Sequence, residues 1–261
     1  MTAARPSSPA GSAGAAAAAV AEICYNVPRV RDGATISVIV PALDEEARIG
    51  SHLAELEATP GVDEVIVVDG GSADRTAAVA NAFPAVRVLS APRGRGPQMN
   101  AGAAAAAGTV LLFLHADVSL PRDAAAWIAG ALADPTVVAG AFRTWTVSDA
   151  GRSWLAPLLH LADVRSRITR FPYGDQAIFV RREAFARAGG FPDQPLMEDL
   201  ELSRRLRRLG RVVTVPAAVR VSGRRLLARP IHSTLVMRLF PTLYRLGVPA
   251  HLLARLYGDP R

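Results

Sequence analysis

The stretch LLFLHADVSLP, residues 111–121, runs from a hydrophobic segment directly into His115 and Asp117. A carboxylate is a preferred ligand of Mg²⁺ and Mn²⁺, and a neutral imidazole is an acceptable ligand for manganese. A divalent ion held by these two side chains could bridge the phosphates of a nucleoside diphosphate. Taken alone, His115 is more typical of a partly buried histidine whose hydrogen bonds are satisfied by the protein.

Four further side chains have the chemistry that a nucleoside diphosphate requires. Glu45 and Asp69 offer acceptors for a base and a ribose, and Arg93 and Arg95 in the segment PRGRGPQ offer positive charge for a diphosphate. Each has a simpler interpretation: Asp69 in DGGS could be a turn residue, and the two arginines could be solvated loop charges. The segment GRGPQM is not a dinucleotide-binding fingerprint, because it lacks the third glycine and does not follow the first strand.

Three carboxylates later in the chain could act as a general base toward an acceptor hydroxyl. Glu198 and Asp199 begin a predicted helix, and Asp175 precedes a predicted strand. Asp199, with Glu198 beside it, could equally cap that helix.

The first half of the chain predicts a scaffold in which strands and helices alternate. Continuously apolar runs about 25 residues apart predict buried strands at 36–42, 63–70, 86–91 and 109–117. Strands of this kind are typical of a parallel sheet covered on both faces by helices. Ligands bind beyond the carboxyl ends of such strands, where the polar residues named above fall. Helical patterns fill the intervening segments, and Asp44 is predicted to cap the first helix.

The second half is less regular. Its pattern predicts a strand at 136–145, a helix at 150–169, a loop, strand and helix over 173–191 that end at a Gly-Gly stop, an amphipathic helix at 197–210, a strand pair in RVVTVPAAVRV, and a helical tail at 231–257 broken by Pro241 and Pro249.

The composition limits the class of protein. With 261 residues, half of them hydrophobic, the chain is long enough for one large domain. The single cysteine, Cys24, excludes an internal disulfide framework and a cysteine-rich zinc site, and it favours a reducing, cytoplasmic location. No apolar run reaches the roughly 18 residues that a membrane-spanning helix needs.

Positive charge is concentrated near the C-terminus. All 30 basic residues are arginines, and residues 201–261 contain 13 of them against only Glu201 and Asp259. This balance indicates an anionic partner: phosphates, an acidic membrane surface or nucleic acid. The aromatic residues that binding of single-stranded nucleic acid requires are not interleaved with these arginines, so we expect no nucleic-acid partner.

The chain therefore divides into three predicted parts. Residues 1–34, rich in Ala, Ser and Pro, are predicted to form a disordered tail, with a transit peptide as the alternative. Residues 35–225 are predicted to form a single α/β domain, a Rossmann-like and mostly parallel sheet flanked by helices. Residues 226–261 are predicted to form a basic amphipathic helical extension, which docks over the acceptor side of the domain or lies on an anionic membrane.

Several segments, in their order along the chain, resemble the successive blocks of family 2 glycosyltransferases with the GT-A fold. They are SVIVPALDEEARI, VIVVDGGSADRT, QMNAGAAAAAGTVLLFLHAD, GGFPDQPLMEDLELSRRLRRLGR and VVTVPAAV, and they cover about residues 37–220. The wording VVDGGS, PRGRGPQMN, FLHAD and YGDQAIFVRRE is similar to one subgroup, the radical-SAM/selenodomain-associated or arsenosugar-biosynthesis glycosyltransferases. The resemblance implies a GT-A domain that moves a sugar from a UDP- or GDP-sugar to an acceptor hydroxyl, by an inverting displacement assisted by Mn²⁺ or Mg²⁺.

Together with the chemistry above, the resemblance assigns roles to residues at matching positions. Binding of the nucleotide sugar is assigned to Pro41, Leu43, Glu45, Asp69, Arg93, Arg95, Gln98 and Asn100. The metal motif falls on His115 and Asp117. Asp199, in Met-Glu-Asp, matches the general base, with Glu198 and Asp175 as further catalytic candidates. The acceptor is not identified.

Three departures from the family pattern concern this site. Gly70 replaces the second acidic residue of the usual Asp-Asp turn, one that commonly reads the nucleotide base. His115 replaces the first carboxylate of the metal motif, and Val221 and Ser222 stand where a histidine often helps to hold the metal. We therefore expect a functional but weaker metal site.

Two other functions compete with sugar transfer. A sugar-phosphate nucleotidyltransferase would need its Gly-rich loop after the first strand, whereas PRGRG follows the third. A non-catalytic homologue that only binds nucleotide sugar would suit the altered metal motif, but the presence of Asp117 and Asp199 counts against it.

Overall fold

The computed structural model describes residues 34–148, 163–164, 166, 171–228 and 230–257. In the first half, four strands alternate with three helices, as the apolar runs predict. The elements are β1 (Ile36–Ala42), α1 (Glu46–Glu57), β2 (Glu64–Asp69), α2 (Thr76–Asn81), β3 (Val86–Ser90), α3 (Arg95–Ala105) and β4 (Val110–Phe113).

The second half adds four strands and several helices to the same sheet. The elements are β5 (Val118–Ser119), α4 (Ala124–Leu132), β6 (Val137–Val147), a short 3-10 helix (Gly174–Gln176), β7 (Ile178–Arg181), α5 (Arg182–Ala188), α6 (Glu198–Leu209), β8 (Arg211–Ser222), α7 (Arg224–Ala228), α8 (Pro230–Arg245) and α9 (Ala250–Tyr257). The strand order is β3-β2-β1-β4-β7-β6-β8-β5. Strands β1 to β4 are mutually parallel and β6 is parallel to β8, whereas β7 and β5 run antiparallel to their neighbours. The predicted α/β class with a mostly parallel sheet is confirmed.

The sheet is buried on both faces because neighbouring residues of a strand point to opposite sides. Val38 and Val40 of β1 pack in a cluster with residues of α1, α2 and α4. Ile39, between them, belongs to a second cluster with residues of α3, α5 and α6. The continuous apolar run in β1 therefore contributes side chains to two hydrophobic layers. Because both faces of the sheet are buried, the polar groups of the site gather at the ends of the strands.

Two strand predictions need correction. The run 109–117 is strand only as far as Phe113, so His115 and Asp117 lie in the turn that leads to β5. RVVTVPAAVRV is a single strand rather than a pair. Its pairing with β6 shifts register between Ala141–Thr214 and Arg143–Ala218, and Pro216 lies in that irregularity. A bulge accommodates a proline, which has no N–H for the ladder, without ending the strand.

The predicted cap of the first helix is also wrong. Glu45 occupies the N-cap position of α1 and makes no side-chain cap hydrogen bond. Asp44 adopts a left-handed backbone conformation, and its carboxylate accepts a hydrogen bond from the Ala73 N–H at 2.8 Å. Asp44 thus ties the loop after β1 to the loop after β2.

The C-terminal extension is helical, but Pro241 does not break it. Helix α8 continues through Pro241, and α9 begins after Pro249, as predicted. Phe240 is buried in a small cluster with Leu196 and with Leu253 of α9, and this packing offsets the helix hydrogen bond that the proline removes. The predicted helix at 150–169 lies almost entirely outside the described residues, as does the tail before residue 34.

Candidate active site

A cleft opens at the carboxyl ends of β1 and β4 and is closed on one side by α3. Its walls are formed by Pro41, Ala42, Leu43, Glu45, Arg95, Gln98, His115, Ala116 and Asp117. The structure therefore brings together seven residues that the sequence nominated from three separate segments. Arg93 is exposed beside this cleft, and Asn100 is turned away from it.

Glu45 meets an arginine that the sequence analysis missed. The Arg224 guanidinium donates to both carboxylate oxygens of Glu45, at 2.8 and 3.0 Å, and lies 4.0 Å from Asp117 Oδ2. Arg224 opens α7, directly beyond the carboxyl end of β8. Because β8 is parallel to β6 and ends at the same edge of the sheet as β4, applying the strand-end rule to β8 would have found this residue. The cleft thus has a second cation besides Arg95.

Asp69 stabilises a turn, which was the simpler of the two interpretations of its DGGS sequence. Its carboxylate accepts hydrogen bonds from the backbone N–H of Gly71 and of Ser72, both at 3.1 Å, and from the Ser72 hydroxyl. These local donors stabilise the turn after β2. Asp69 is not part of the cleft wall.

Gln98 and Asn100, two residues apart on α3, bind backbone groups. Gln98 Nε2 donates to the carbonyl oxygens of Ala42 at 2.8 Å and Val68 at 2.7 Å, so its amide ties the end of β1 to the end of β2. Asn100 Nδ2 donates to the Phe191 carbonyl, and its Oδ1 accepts from the Phe191 N–H, each at 2.9 Å. Asn100 therefore fixes the loop before α6 and does not contact the cleft directly.

Arg95 connects the cleft to the pair of carboxylates at the start of α6. Its guanidinium is 4.0 Å from Glu198 Oε1. Burial would lower the pKa of Arg95, but the nearby Glu198 carboxylate, with smaller contributions from Tyr257 and two aspartates, raises it. Burial, followed by the charge of Asp199, raises the pKa of Glu198 to about 7, and Arg95 only partly opposes this shift. Tyr257 belongs to α9, so the C-terminal extension reaches this edge of the site.

Asp199 is held in a fixed orientation. The Gly174 N–H donates to Asp199 Oδ2 at 2.7 Å, and the Leu200 N–H donates to Oδ1 at 2.7 Å. A Cβ at position 174 would lie 2.6 Å from His115 Nε2 and 3.6 Å from Asp199 Oδ2. A side chain at position 174 would therefore have to displace the His115 ring, whereas Asp199 lies at an ordinary contact distance. Asp175 follows in the same short 3-10 helix.

The chemistry of the metal motif can be tested on the donors present. Across the residues that the structure describes, no group of three or more His, Cys, Asp or Glu side chains is arranged to hold a metal ion. His115 and Asp117 line the same cleft and offer one nitrogen and one carboxylate. Mg²⁺ is commonly bound by one or two carboxylates together with substrate phosphates. The donor set therefore fits an ion shared with a diphosphate and does not form a closed protein cage.

Residues 37–189, more than half of the chain, match glycosyl transferase family 2. The chain belongs to this family. The match confirms the family predicted from the sequence blocks.

The chain is 35% identical over 134 residues to glucosyl-3-phosphoglycerate synthase of Mycolicibacterium paratuberculosis, an alignment that covers 46% of this chain and 41% of the relative. The chain thus spans about two fifths of the length of that curated relative.

Solved structures show the same fold. A mannosyltransferase from Pyrobaculum calidifontis, in complex with GDP-Man and Mn²⁺, superimposes with a TM-score of 0.59 at 23% identity, over 88% of this chain and 71% of that one. Glucosyl-3-phosphoglycerate synthase from Mycobacterium tuberculosis, in complex with Mn²⁺ and UDP-glucose, superimposes with a TM-score of 0.52 at 26% identity, over 74% and 73%. The predicted GT-A-type fold is confirmed.

In the part of the chain that the structure describes, no helix is both long enough and apolar enough to cross a membrane.

Proposed function

We propose that this protein transfers a sugar from a UDP- or GDP-sugar to an acceptor hydroxyl by an inverting displacement. The observation that carries the proposal is a grouping of charged side chains: Arg95 and Asp117 line one cleft, and Arg224 lies 4.0 Å from Asp117. An oriented carboxylate, Asp199, lies with His115 of the cleft wall beside Gly174. The similar proteins named above, one bound to GDP-Man and one to UDP-glucose, support it.

Two arginines lie at the donor end of the site. Arg95 and Arg224 flank Asp117 and supply the charge that a departing diphosphate requires. Pro41, Leu43 and Glu45 form the wall where the nucleoside lies. Glu45 is already neutralised by Arg224, so the donor's anionic end is not repelled by that carboxylate.

His115 and Asp117 would hold a divalent ion, Mn²⁺ or Mg²⁺, together with oxygens of the diphosphate. When bound, such an ion supplies stabilisation of the negative charge that develops on the leaving diphosphate. Both similar structures named above contain Mn²⁺.

The acceptor end contains two adjacent carboxylates in different environments. Glu198 is buried and has its pKa raised to about 7, so near neutral pH a large fraction of it carries a proton. Asp199 is half-buried, and its two oxygens accept hydrogen bonds from the backbone N–H groups of Gly174 and Leu200. Asp199 takes the proton of the acceptor hydroxyl as that oxygen attacks the anomeric carbon, while Glu198 and Asp175 lie nearby as further carboxyl groups.

Release of nucleoside diphosphate from UDP- and GDP-sugars, with and without Mn²⁺, tests the proposal. We expect metal-stimulated release in the native protein and a loss of at least a hundredfold in Asp199→Asn, with Asp193→Asn, an exposed carboxylate in the preceding loop, as the matched control. Release of pyrophosphate would instead support a nucleotidyltransferase, and tight nucleotide binding without turnover of any donor would support a non-catalytic homologue.

Within the family, we place the chain in the subgroup associated with radical-SAM/selenodomain proteins. The support is the wording VVDGGS, PRGRGPQMN, FLHAD and YGDQAIFVRRE, whose glycines at 70 and 174 make close contacts in the structure. A phylogenetic tree of family 2 sequences that put this chain outside that subgroup would contradict the placement.

We further propose a cytoplasmic protein whose C-terminal extension both docks on the domain and contacts an anionic membrane. Leu253 and Phe240 pack against Leu196, which supports docking. Leu246, in the turn between α8 and α9, and Leu256 of α9 are among several exposed leucines of the extension, and arginines are interspersed with them. Exposed leucines beside arginines are typical of helices that lie on anionic membranes.

Flotation with liposomes of neutral and of anionic lipid tests the membrane contact. We expect salt-sensitive flotation with anionic liposomes only, and its loss in Leu246→Ser/Leu256→Ser. Trp145→Ser, which removes an exposed hydrophobic residue elsewhere, is the matched control. Equal flotation of both variants, or none of the native protein, would contradict the proposal.

A further inference from the structure

The corner where β1 and β2 end lacks an obvious group to recognise a nucleotide base. Asp69 uses both of its oxygens to accept hydrogen bonds from Gly71 and Ser72. Gly70 has no side chain. Gln98, which arrives from α3 and is only 2% exposed, places a polar side chain against the ends of both strands and also lines the cleft.

The Gln98 amide occupies the space that a side chain at position 70 would need. A Cβ on Gly70 would lie 2.9 Å from both Cδ and Nε2 of Gln98 and 3.1 Å from its Oε1. Gly70 does not have a positive φ, so backbone conformation is not what requires a glycine there. The contact with the Gln98 amide is what favours a glycine at position 70, so the residue at one of these positions limits what the other can be.

The orientation of the amide is fixed by its partners. Nε2 donates its two hydrogens to the carbonyl oxygens of Ala42 and Val68, at 2.8 and 2.7 Å. The reversed orientation would place Oε1 against two carbonyl oxygens, none of which can donate. Gln98 lines the cleft, and because both hydrogens of Nε2 are committed to these carbonyls, Oε1 is the amide atom left to meet a ligand. Oε1 accepts hydrogen bonds and cannot donate them.

We propose that Gln98 Oε1 selects the base of the nucleoside diphosphate, favouring a base with a ring N–H over one with a ring acceptor at the same position. Uracil N3 and guanine N1 carry a hydrogen that Oε1 can accept. The corresponding nitrogens of cytosine and adenine are acceptors, and an acceptor facing an acceptor loses the bond and leaves both groups desolvated. The inference rests on the proposed function, since it concerns the same cleft.

UDP and CDP form a matched pair for the test because they have the same size and charge and differ only at the pyrimidine edge. Calorimetric titration of the native protein in the presence of Mn²⁺ is expected to show UDP binding at least tenfold more tightly than CDP. GDP and ADP form the corresponding purine pair, and the selection must appear in whichever pair binds.

Two variants connect the selection to Gln98. Gly70→Ala inserts a methyl group that must displace the amide, so UDP is expected to weaken about tenfold while CDP is little changed. Gln98→Leu removes the acceptor and is expected to reduce the UDP-to-CDP ratio to near one. Its thermal unfolding must be checked, because it also removes the tie between the two strands. Gly50→Ala, in α1, is the matched glycine control.

Equal affinity for UDP and CDP in the native protein, or an unchanged ratio in Gly70→Ala, would overturn this inference and leave sugar transfer standing. Failure of all four nucleoside diphosphates to bind would overturn the proposed function, and this inference with it.

Discussion

Glu198 provides the sharpest test of how the site is built, through the pH dependence of folding stability. The side chain is 4% exposed, and burial with the adjacent charge of Asp199 raises its pKa from 4.5 to about 7. The native state therefore holds the Glu198 proton up to a higher pH than the unfolded chain does. Its stabilising effect is fully present below pH 4.5 and is lost as the pH rises toward 7. The pKa difference corresponds to a loss of about 3 kcal/mol in the free energy of unfolding.

Glu198→Gln isolates this contribution, because glutamine has the shape of a protonated glutamate and does not ionise. Near pH 4.5 the two proteins are expected to differ little in the free energy of unfolding. At pH 8.5 the variant is expected to be more stable than the native protein by about 3 kcal/mol. Urea unfolding at intervals between these pH values measures the difference, and titration of all other groups cancels between the two proteins. Glu57→Gln, at the exposed end of α1, is the matched control and should change stability by no more than about 0.5 kcal/mol.

A difference between Glu198→Gln and the native protein that stays constant from pH 4.5 to 8.5 would refute the reasoning. It would mean that Arg95, 4.0 Å from the carboxylate, fully compensates for burial. Glu198 would then not be the protonated member of the Glu198–Asp199 pair.

Three further predictions concern activity and packing. Asp199→Asn should reduce kcat by a factor of about 10² to 10⁴ with the donor KM nearly unchanged, because it removes the base but no donor contact; a normal kcat would exclude Asp199 as the base. Gly174→Ala should lower kcat/KM at least tenfold in steady-state assays, because the new Cβ displaces the His115 ring, while thermal unfolding stays near that of the native protein; full activity would show that the ring position is unimportant. Gly102→Ala should destabilise by about 1–2 kcal/mol in urea unfolding, because overpacking against Ile39 and Val68 outweighs the gain in helix propensity of up to about 1 kcal/mol; a more stable variant would contradict this balance.

The parts of the fold that follow from local pattern are predictable from the sequence. The four parallel strands of the first half follow from apolar runs that are buried on both faces, and α5 ends at the Gly189-Gly190 stop as predicted. The features that the sequence misassigned depend on partners far along the chain. In the sequence Pro216 suggests the end of a strand, but an irregularity in the pairing with β6 accommodates it. Asp44 resembles a helix cap, but its carboxylate accepts a hydrogen bond from the Ala73 N–H instead.

The same limit applies to the site. The strand-end rule finds Asp117 because a long apolar run leads directly to it, and the cleft does contain it. The rule reaches Arg224 only once the end and direction of β8 are known, and the partner of Arg224, Glu45, is 179 residues away in the sequence. It also cannot tell that Asn100 is committed to the Phe191 backbone, since an amide in a helix looks the same whether it faces a ligand or a loop.

Arg224 has a consequence for the order in which ligands arrive. Its guanidinium already lies 4.0 Å from Asp117, so an ion approaching that carboxylate meets a resident positive charge. The negative charge of a diphosphate relieves this repulsion when it lies between the two cations. We therefore expect an ion and a nucleotide donor to bind with positive cooperativity, each raising the affinity for the other by the same factor, as thermodynamic reciprocity demands. The protein alone would then bind Mn²⁺ more weakly than it does in the presence of a nucleoside diphosphate.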